Sequence, residues 1–148
     1  MQPADRRLTV LRDPPLPGAA NMARDEHLLE ASFPSIAVLR TYGWDPATVS
    51  LGFFQRHAAI ADLPETIRGL PVVRRLTGGG AILHDLEVTY TLVINTAPPA
   101  GRAAPVHLYR LVHDAWRVAL ADRLPDLELA PDSLPLPSPR TGPFFCFQ

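Results

Sequence analysis

The sequence predicts an α+β fold, a mixed or antiparallel sheet flanked by helices. Three observations lead there. A stretch with helical spacing lies near the start, strand-like runs cluster between residues 35 and 94, and helical spacing returns over 106–124. No internal repeat interrupts this order.

Each element has a local reason. Residues 1–20 form a proline-rich segment expected to carry a first strand. After Pro14, Pro15 and Pro17, "NMARDEHLLEASF" predicts a short helix with Asn21 as its N-cap and with Asp25 and Glu26 near the positive end of the helix dipole. Met22, Leu29 and Phe33 return to one face of it. "SIAVLRTYGW" changes to period two, placing Ile36, Val38, Arg40 and Tyr42 on one side, and Gly43 with Asp45-Pro46 closes the strand. "TVSLGFFQ" reads as a second strand of this cluster, broken or bulged at Gly52. "PVVRRL" is a third and runs directly into "TGGGAILH"; "VTYTLVI", rich in β-branched residues, is a fourth. Over 106–124, Tyr109, Val112, Trp116, Ala119 and Leu120 share one helical stripe, with Pro105 suited to the helix start. Tyr109 and Trp116 are expected in the core of that helix.

Composition excludes several function classes. A chain of 148 residues and 16.2 kDa suits one domain. Hydrophobic content of 47% with 20% charge belongs to a folded protein. No apolar run approaches the roughly 20 residues that span a bilayer, and the start has no apolar signal core, so no membrane role and a cytoplasmic location are expected. The single cysteine, Cys146, cannot form an internal disulfide. A net charge of −1 offers no basic footprint for nucleic acid. All 14 cations are arginine, so chemistry that needs a lysine amine is closed to these residues. His27, His57, His107 and His113 show no metal-ligand spacing, and no metal site is expected.

"RRLTGGGAILHD", residues 74–85, carries the most information. Each glycine costs roughly 0.5–1 kcal/mol of ordering entropy relative to alanine, so three in a row must supply geometry. Gly78, Gly79 and Gly80 can bring main-chain N–H groups up to a ligand with no Cβ in the way. Arg75 before them offers a fork of donors suited to a carboxylate or phosphate, and His84 after them titrates near neutral pH. A hairpin turn with a surface arginine pair is the alternative. The spacing is neither G-x-G-x-x-G nor a P-loop. Cys146, set among Phe144, Phe145 and Phe147, reads either as a small buried hydrophobe or as a nucleophile.

Three blocks in this order, "NMARDEHLL" (21–29), "LRTYGWDPATVSLGFFQ" (39–55) and "VVRRLTGGGAILHDLEVTYTLVI" (72–94), closely resemble the lipoate-protein ligase A/B family, relatives of biotin protein ligase. The second block, and Cys146-Phe147 downstream of the long helix, look most like the octanoyltransferases that use a cysteine nucleophile. The resemblance covers 5–148 and implies a biotin/lipoate protein ligase catalytic domain that is incomplete at its C-terminal end. Family members continue beyond the cysteine into a G-[RK]-K-x-x-G-S-A-Q block that these residues lack.

The resemblance implies transfer of an octanoyl or lipoyl group to a lysine of a lipoyl carrier domain, such as the H protein or an E2 subunit. Octanoyl-acyl carrier protein would be the donor and Cys146 would carry the acyl group as a thioester. Arg75, Thr77, Gly78, Gly79, Gly80 and Ala81 would line the substrate site, with His84 near the acyl head as the catalytic base. The transferase needs no cofactor. An ATP- and Mg-dependent lipoate-protein ligase, and a non-catalytic half that binds an acyl carrier or a completing partner, are the alternatives.

Overall fold

The computed structural model describes residues 7–31, 37–94 and 104–129, which fall into two compact units, 7–94 and 104–129. The fold is α+β as expected, but the larger unit builds two three-stranded sheets where the sequence suggests one. In the first, β1 (Leu8–Arg12) runs parallel to β2 (Ala37–Tyr42), which pairs antiparallel with β6 (Thr89–Ile94). In the second, central β3 (Thr48–Leu51) is parallel to β4 (Val72–Arg74) and antiparallel to β5 (Ile82–His84). A bridge between Leu16 and Trp44 follows the first pair outward.

The period-two reading of β2 is borne out for Val38, Arg40 and Tyr42, which are buried on one face; Ile36 lies outside the described residues. All four residues of β3 are buried, because both faces of this central strand are covered. Val49 and Leu51 point into an apolar cluster with Ile60 and Ala81, flanked by Leu63, Ile67, Leu70 and Val72. Ile60 comes from a 3₁₀ segment, His57–Asp62, and Ile67 from the short helix α2, Glu65–Arg68, two elements for which the sequence carries no periodic signal. Thr48 and Ser50 take the opposite face by strand alternation. Helix α1 (Gly18–Glu30) starts against that face: a Cβ on Gly18 would lie 2.7 Å from Thr48 Cγ2 and 3.0 Å from Val73 Cγ1.

Helix α1 corrects two expectations. Pro17, not Asn21, occupies its N-cap, and the first turn holds no acidic residue, so Asp25 and Glu26 do not serve the dipole there. Asn21 is instead fully buried inside the helix; its Nδ2 donates to the carbonyls of Leu16 (3.2 Å) and Gly43 (2.9 Å). Tertiary acceptors have displaced the local capping role that Asn favours. The expected apolar face is also turned: Leu28 is buried while Leu29 is 62% exposed, and Phe33 lies outside the described residues.

In the second unit, α3 (Ala104–Leu120) forms where the helical spacing predicts it, beginning two residues earlier and ending four earlier. Tyr109, expected in the core, is 64% exposed, and Trp116 sits at the edge of exposure. Among the described residues no helix is long and apolar enough to cross a membrane.

Candidate functional site

The glycine block connects β4 to β5 and is held from three sides. Strand β3 ends at Leu51, whose carbonyl accepts from the Arg75 amide at 2.9 Å, so the ladder continues to the first residue of the loop. Beyond it, the Gly52 backbone lies directly against the loop: a Cβ there would fall 2.0 Å from Gly79 O and 3.2 Å from Gly78 C. Only glycine fits at this contact. Gly79 itself has φ 92°, a conformation that side-chain-bearing residues rarely adopt. The Phe53 amide donates to Thr77 O at 2.9 Å, tying the 52–55 turn to the start of the triple glycine.

Two arginines clip these turns. Arg74 Nη1 donates to the carbonyls of Gly52 (3.0 Å), Phe53 (3.0 Å) and Gln55 (2.7 Å). Arg75 reaches inward: Nη1 donates to Ser50 O (2.8 Å) and Ser50 Oγ (2.7 Å), and Nη2 to Gly78 O (3.2 Å) and Gly80 O (2.8 Å). The fork expected to meet a ligand carboxylate or phosphate therefore grips the loop's carbonyls. One guanidinium thus ties two carbonyls of the loop to Ser50 on β3. Thr77, Gly78 and Gly79 are exposed, Gly80 is half-buried and Ala81 is fully buried in the apolar cluster.

His84, at the end of β5, is buried beneath this loop with both ring nitrogens engaged. Nε2 lies 2.7 Å from Ser50 Oγ, and Nδ1 lies 2.5 Å from Glu87 Oε1. Trp44 stacks on the imidazole at 3.8 Å and 12°, and its Nε1 donates to Thr89 Oγ1 at 2.8 Å. Burial holds the His84 pKa below its ordinary value, opposed by the Glu87 carboxylate and reinforced by the Arg75 charge. Burial works to raise Glu87, but the Asp85 amide and the His84 ring outweigh it and hold the carboxyl low. Burial thus favours the neutral form of His84, and both ring nitrogens face protein partners.

Of the expected site residues, the structure gathers Arg75, Thr77, Gly78, Gly79, Gly80, Ala81 and His84 around one loop. Cys146 lies outside the described residues. Gly52, Ser50 and Glu87 belong to the same assembly and went unread as site residues. Gly52 had a signal, since a glycine that interrupts a strand marks a bulge or a close backbone approach. Ser50 and Glu87 had none, because their roles appear only once β3 and β5 pair. Among the described residues no group of three or more His, Cys, Asp or Glu is placed to hold a metal.

Comparison with known proteins follows this geometry. Residues 17–122 match the model of the lipoyl protein ligase A/B catalytic domain. The chain belongs to that family. The glycine loop and β3 both fall within the segment that matches the lipoyl protein ligase A/B catalytic domain. A curated relative, octanoyltransferase LipM of Kyrpidia tusciae, is 41% identical over 99 residues, covering 65% of this chain and 36% of that protein. The chain thus spans little more than a third of that relative's length. Among solved structures, the bipartite lipoate protein ligase of Thermoplasma acidophilum, studied with its E2 lipoyl domain, is 25% identical with a TM-score of 0.56, covering 87% of this chain and 49% of that one. A lipoate-protein ligase A bound with ATP is 26% identical with a TM-score of 0.55, covering 88% and 53%.

Proposed function

We propose that these residues form the glycine-loop portion of an octanoyltransferase acyl site that serves protein lipoylation in the cytoplasm. The observation that carries the reading is the triple-glycine loop, exposed at Gly78 and Gly79, held by Arg75 and packed on Gly52, within the segment that matches the lipoyl protein ligase A/B catalytic domain. Main-chain N–H groups of such a loop are suited to a thioester carbonyl, whose oxygen gains negative charge as it is attacked. Small residues at Gly78, Gly79 and Gly80 leave room for the acyl head, and Thr77 stands at the loop's entrance.

In this reading the Cys146 thiolate attacks the carbonyl carbon of octanoyl-acyl carrier protein. A C–S bond forms to Cys146 as the bond to the carrier sulfur breaks, and the carrier leaves as a thiolate that takes up the proton Cys146 had lost. A lysine amine of a lipoyl carrier domain then attacks the acyl-enzyme, an amide forms, and the Cys146 thiol is released. The E2 lipoyl domain paired with the Thermoplasma ligase supports a carrier of this kind as acceptor. His84 belongs to the site as the neutral group beneath the loop.

The test is mass spectrometry of the chain mixed with octanoyl-acyl carrier protein and no ATP. An octanoyl adduct on Cys146, lost in Cys146→Ser while the far-ultraviolet circular dichroism is unchanged, is the expected result. An adduct that persists in Cys146→Ser removes the nucleophile. Acyl transfer that begins only when ATP and Mg are added favours the ligase reading, for which the ATP-bound structural relative is the specific support.

A further inference from the structure

The hydrogen bonds beneath the loop have a direction that chemistry fixes. A guanidinium only donates, so Ser50 Oγ must accept from Arg75 Nη1. The other close partner of Ser50 Oγ is His84 Nε2, which could meet either the hydroxyl proton or its second lone pair. The Glu87 carboxylate decides between them: it only accepts, so the ring proton of the neutral imidazole sits on Nδ1 and is donated to Glu87 Oε1, and Nε2 accepts from Ser50. Glu87 is anchored in turn, since its second oxygen accepts from the Asp85 amide at 2.7 Å. The far end of the chain is Arg75 Nη2 on the carbonyls of Gly78 and Gly80.

We propose that Glu87 and Ser50 are positioning residues that hold the triple-glycine loop through His84 and Arg75, as one directed hydrogen-bond chain. Its bearing on acyl transfer rests on the loop being the acyl cradle, as proposed above. Glu87 selects the Nδ1–H tautomer of His84. That tautomer leaves Nε2 to accept from Ser50, and the hydroxyl so oriented presents its lone pairs to Arg75. Remove Glu87, and the ring is free to carry its proton on Nε2. Ser50 Oγ then faces two donors, and its own proton needs another acceptor in a fully buried place. The strain reaches the loop through the Arg75 guanidinium. Glu87 needs no motif of its own to do this; it needs only the three-residue offset that brings its carboxylate back to Nδ1.

Glu87 suits a test because its side chain is 40% exposed, so replacing it leaves no buried cavity. The full chain, labelled with ¹⁵N, is read by long-range ¹H–¹⁵N correlation for the His84 tautomer and by amide hydrogen exchange for the loop. Nδ1–H is expected in the wild type and in Glu87→Gln, whose amide oxygen still accepts the proton. In Glu87→Ala a mixture of tautomers is expected, with Gly78 to Gly80 amides exchanging roughly tenfold faster, as loss of one charge-assisted bond implies. Glu87→Gln should restore part of that protection, and amides of β2 and β6 should not change in either variant. A packing role alone would not move the tautomer. An Nε2–H ring in the wild type, or unchanged loop exchange in Glu87→Ala, overturns the proposal. These measurements use no acyl donor, so they stand apart from the function reading. That reading fails separately if octanoyl-acyl carrier protein leaves the loop resonances of the wild type unmoved.

Discussion

Arg40 and Arg75 are both drawn into the same unit, yet the oxygens they grip differ. Arg40, 1% exposed, donates to Asp13 Oδ2 (2.7 Å), Asp25 Oδ1 (2.6 Å), Asn21 Oδ1 (2.7 Å) and Asn21 O (3.2 Å). Tyr42 closes the group by donating to Asp25 Oδ2 at 2.9 Å. Arg24 adds a second cation on Asp13, and the two guanidiniums hold that carboxyl below the usual range. Arg75 grips two carbonyls of the glycine loop together with the carbonyl and hydroxyl of Ser50. The first arginine joins β2 to α1 and to the residue that follows β1 through charge. The second shapes a surface through neutral acceptors. Substitutions near Arg40 should therefore register in stability, and those near Arg75 in the geometry of the loop.

Arg40→Leu is the largest expected effect. It leaves Asp13 with Arg24 alone and Asp25 with the Tyr42 hydroxyl, and strips Asn21 Oδ1 of its donor. Removing one partner of a buried pair costs about 3–5 kcal/mol, and the partial exposure of both carboxylates puts this case at about 3 kcal/mol. Urea unfolding at neutral pH measures it. A loss below about 1 kcal/mol would equate the two arginines and dissolve the contrast.

Arg40 also marks how far the sequence could be read. Its place on the buried face of β2 follows from alternation with Val38 and Tyr42, but nothing local announces that its partners sit just after β1 and on α1. Asn21 was misread for the same reason: short-range chemistry favours a cap, and a distant arginine and two carbonyls outbid it. The triple glycine was legible because its cost in entropy demands a geometric purpose. β5 was not, since three residues are too few to show a period. The split into two sheets depends on β6 returning to β2 past β5, a long-range pairing that no window of sequence contains.

Gly52→Ala comes next and acts on the loop. A Cβ 2.0 Å from Gly79 O cannot be accommodated by rotating a side chain, because the obstacle is backbone. Loop or strand must move, at about 1–3 kcal/mol, and the Arg75 hold on Gly80 should loosen with it. Gly78→Ala is the matched control: a Cβ there meets nothing within 4 Å. Amide exchange across Gly78 to Gly80 should rise in Gly52→Ala and stay near wild type in Gly78→Ala. Equal responses would mean that the loop is not seated on Gly52.

The smallest effect expected is acid sensitivity, and it separates the two regions by pH. His84 has an ordinary value of 6.5 and a lowered value in the fold, so between the two the unfolded chain binds a proton that the native one refuses. Stability rises with pH in that window; the His84 contribution is complete above 6.5 and is lost as pH falls through the folded value. Glu87 and Asp13 are also lowered, from ordinary values of 4.5 and 3.8, so their contributions carry the same sign and fade only in stronger acid. The glycine-loop side should therefore weaken first, while the Arg40 side holds. Emission from Trp44, stacked on His84, reports the first step in a Trp116→Phe background. A urea midpoint that declines just below pH 6.5, and no longer does so in His84→Gln, is the expected pattern. If the first decline comes only below 4, the neutral imidazole contributes nothing and the carboxylates beside Arg24 and Arg40 govern both regions alike.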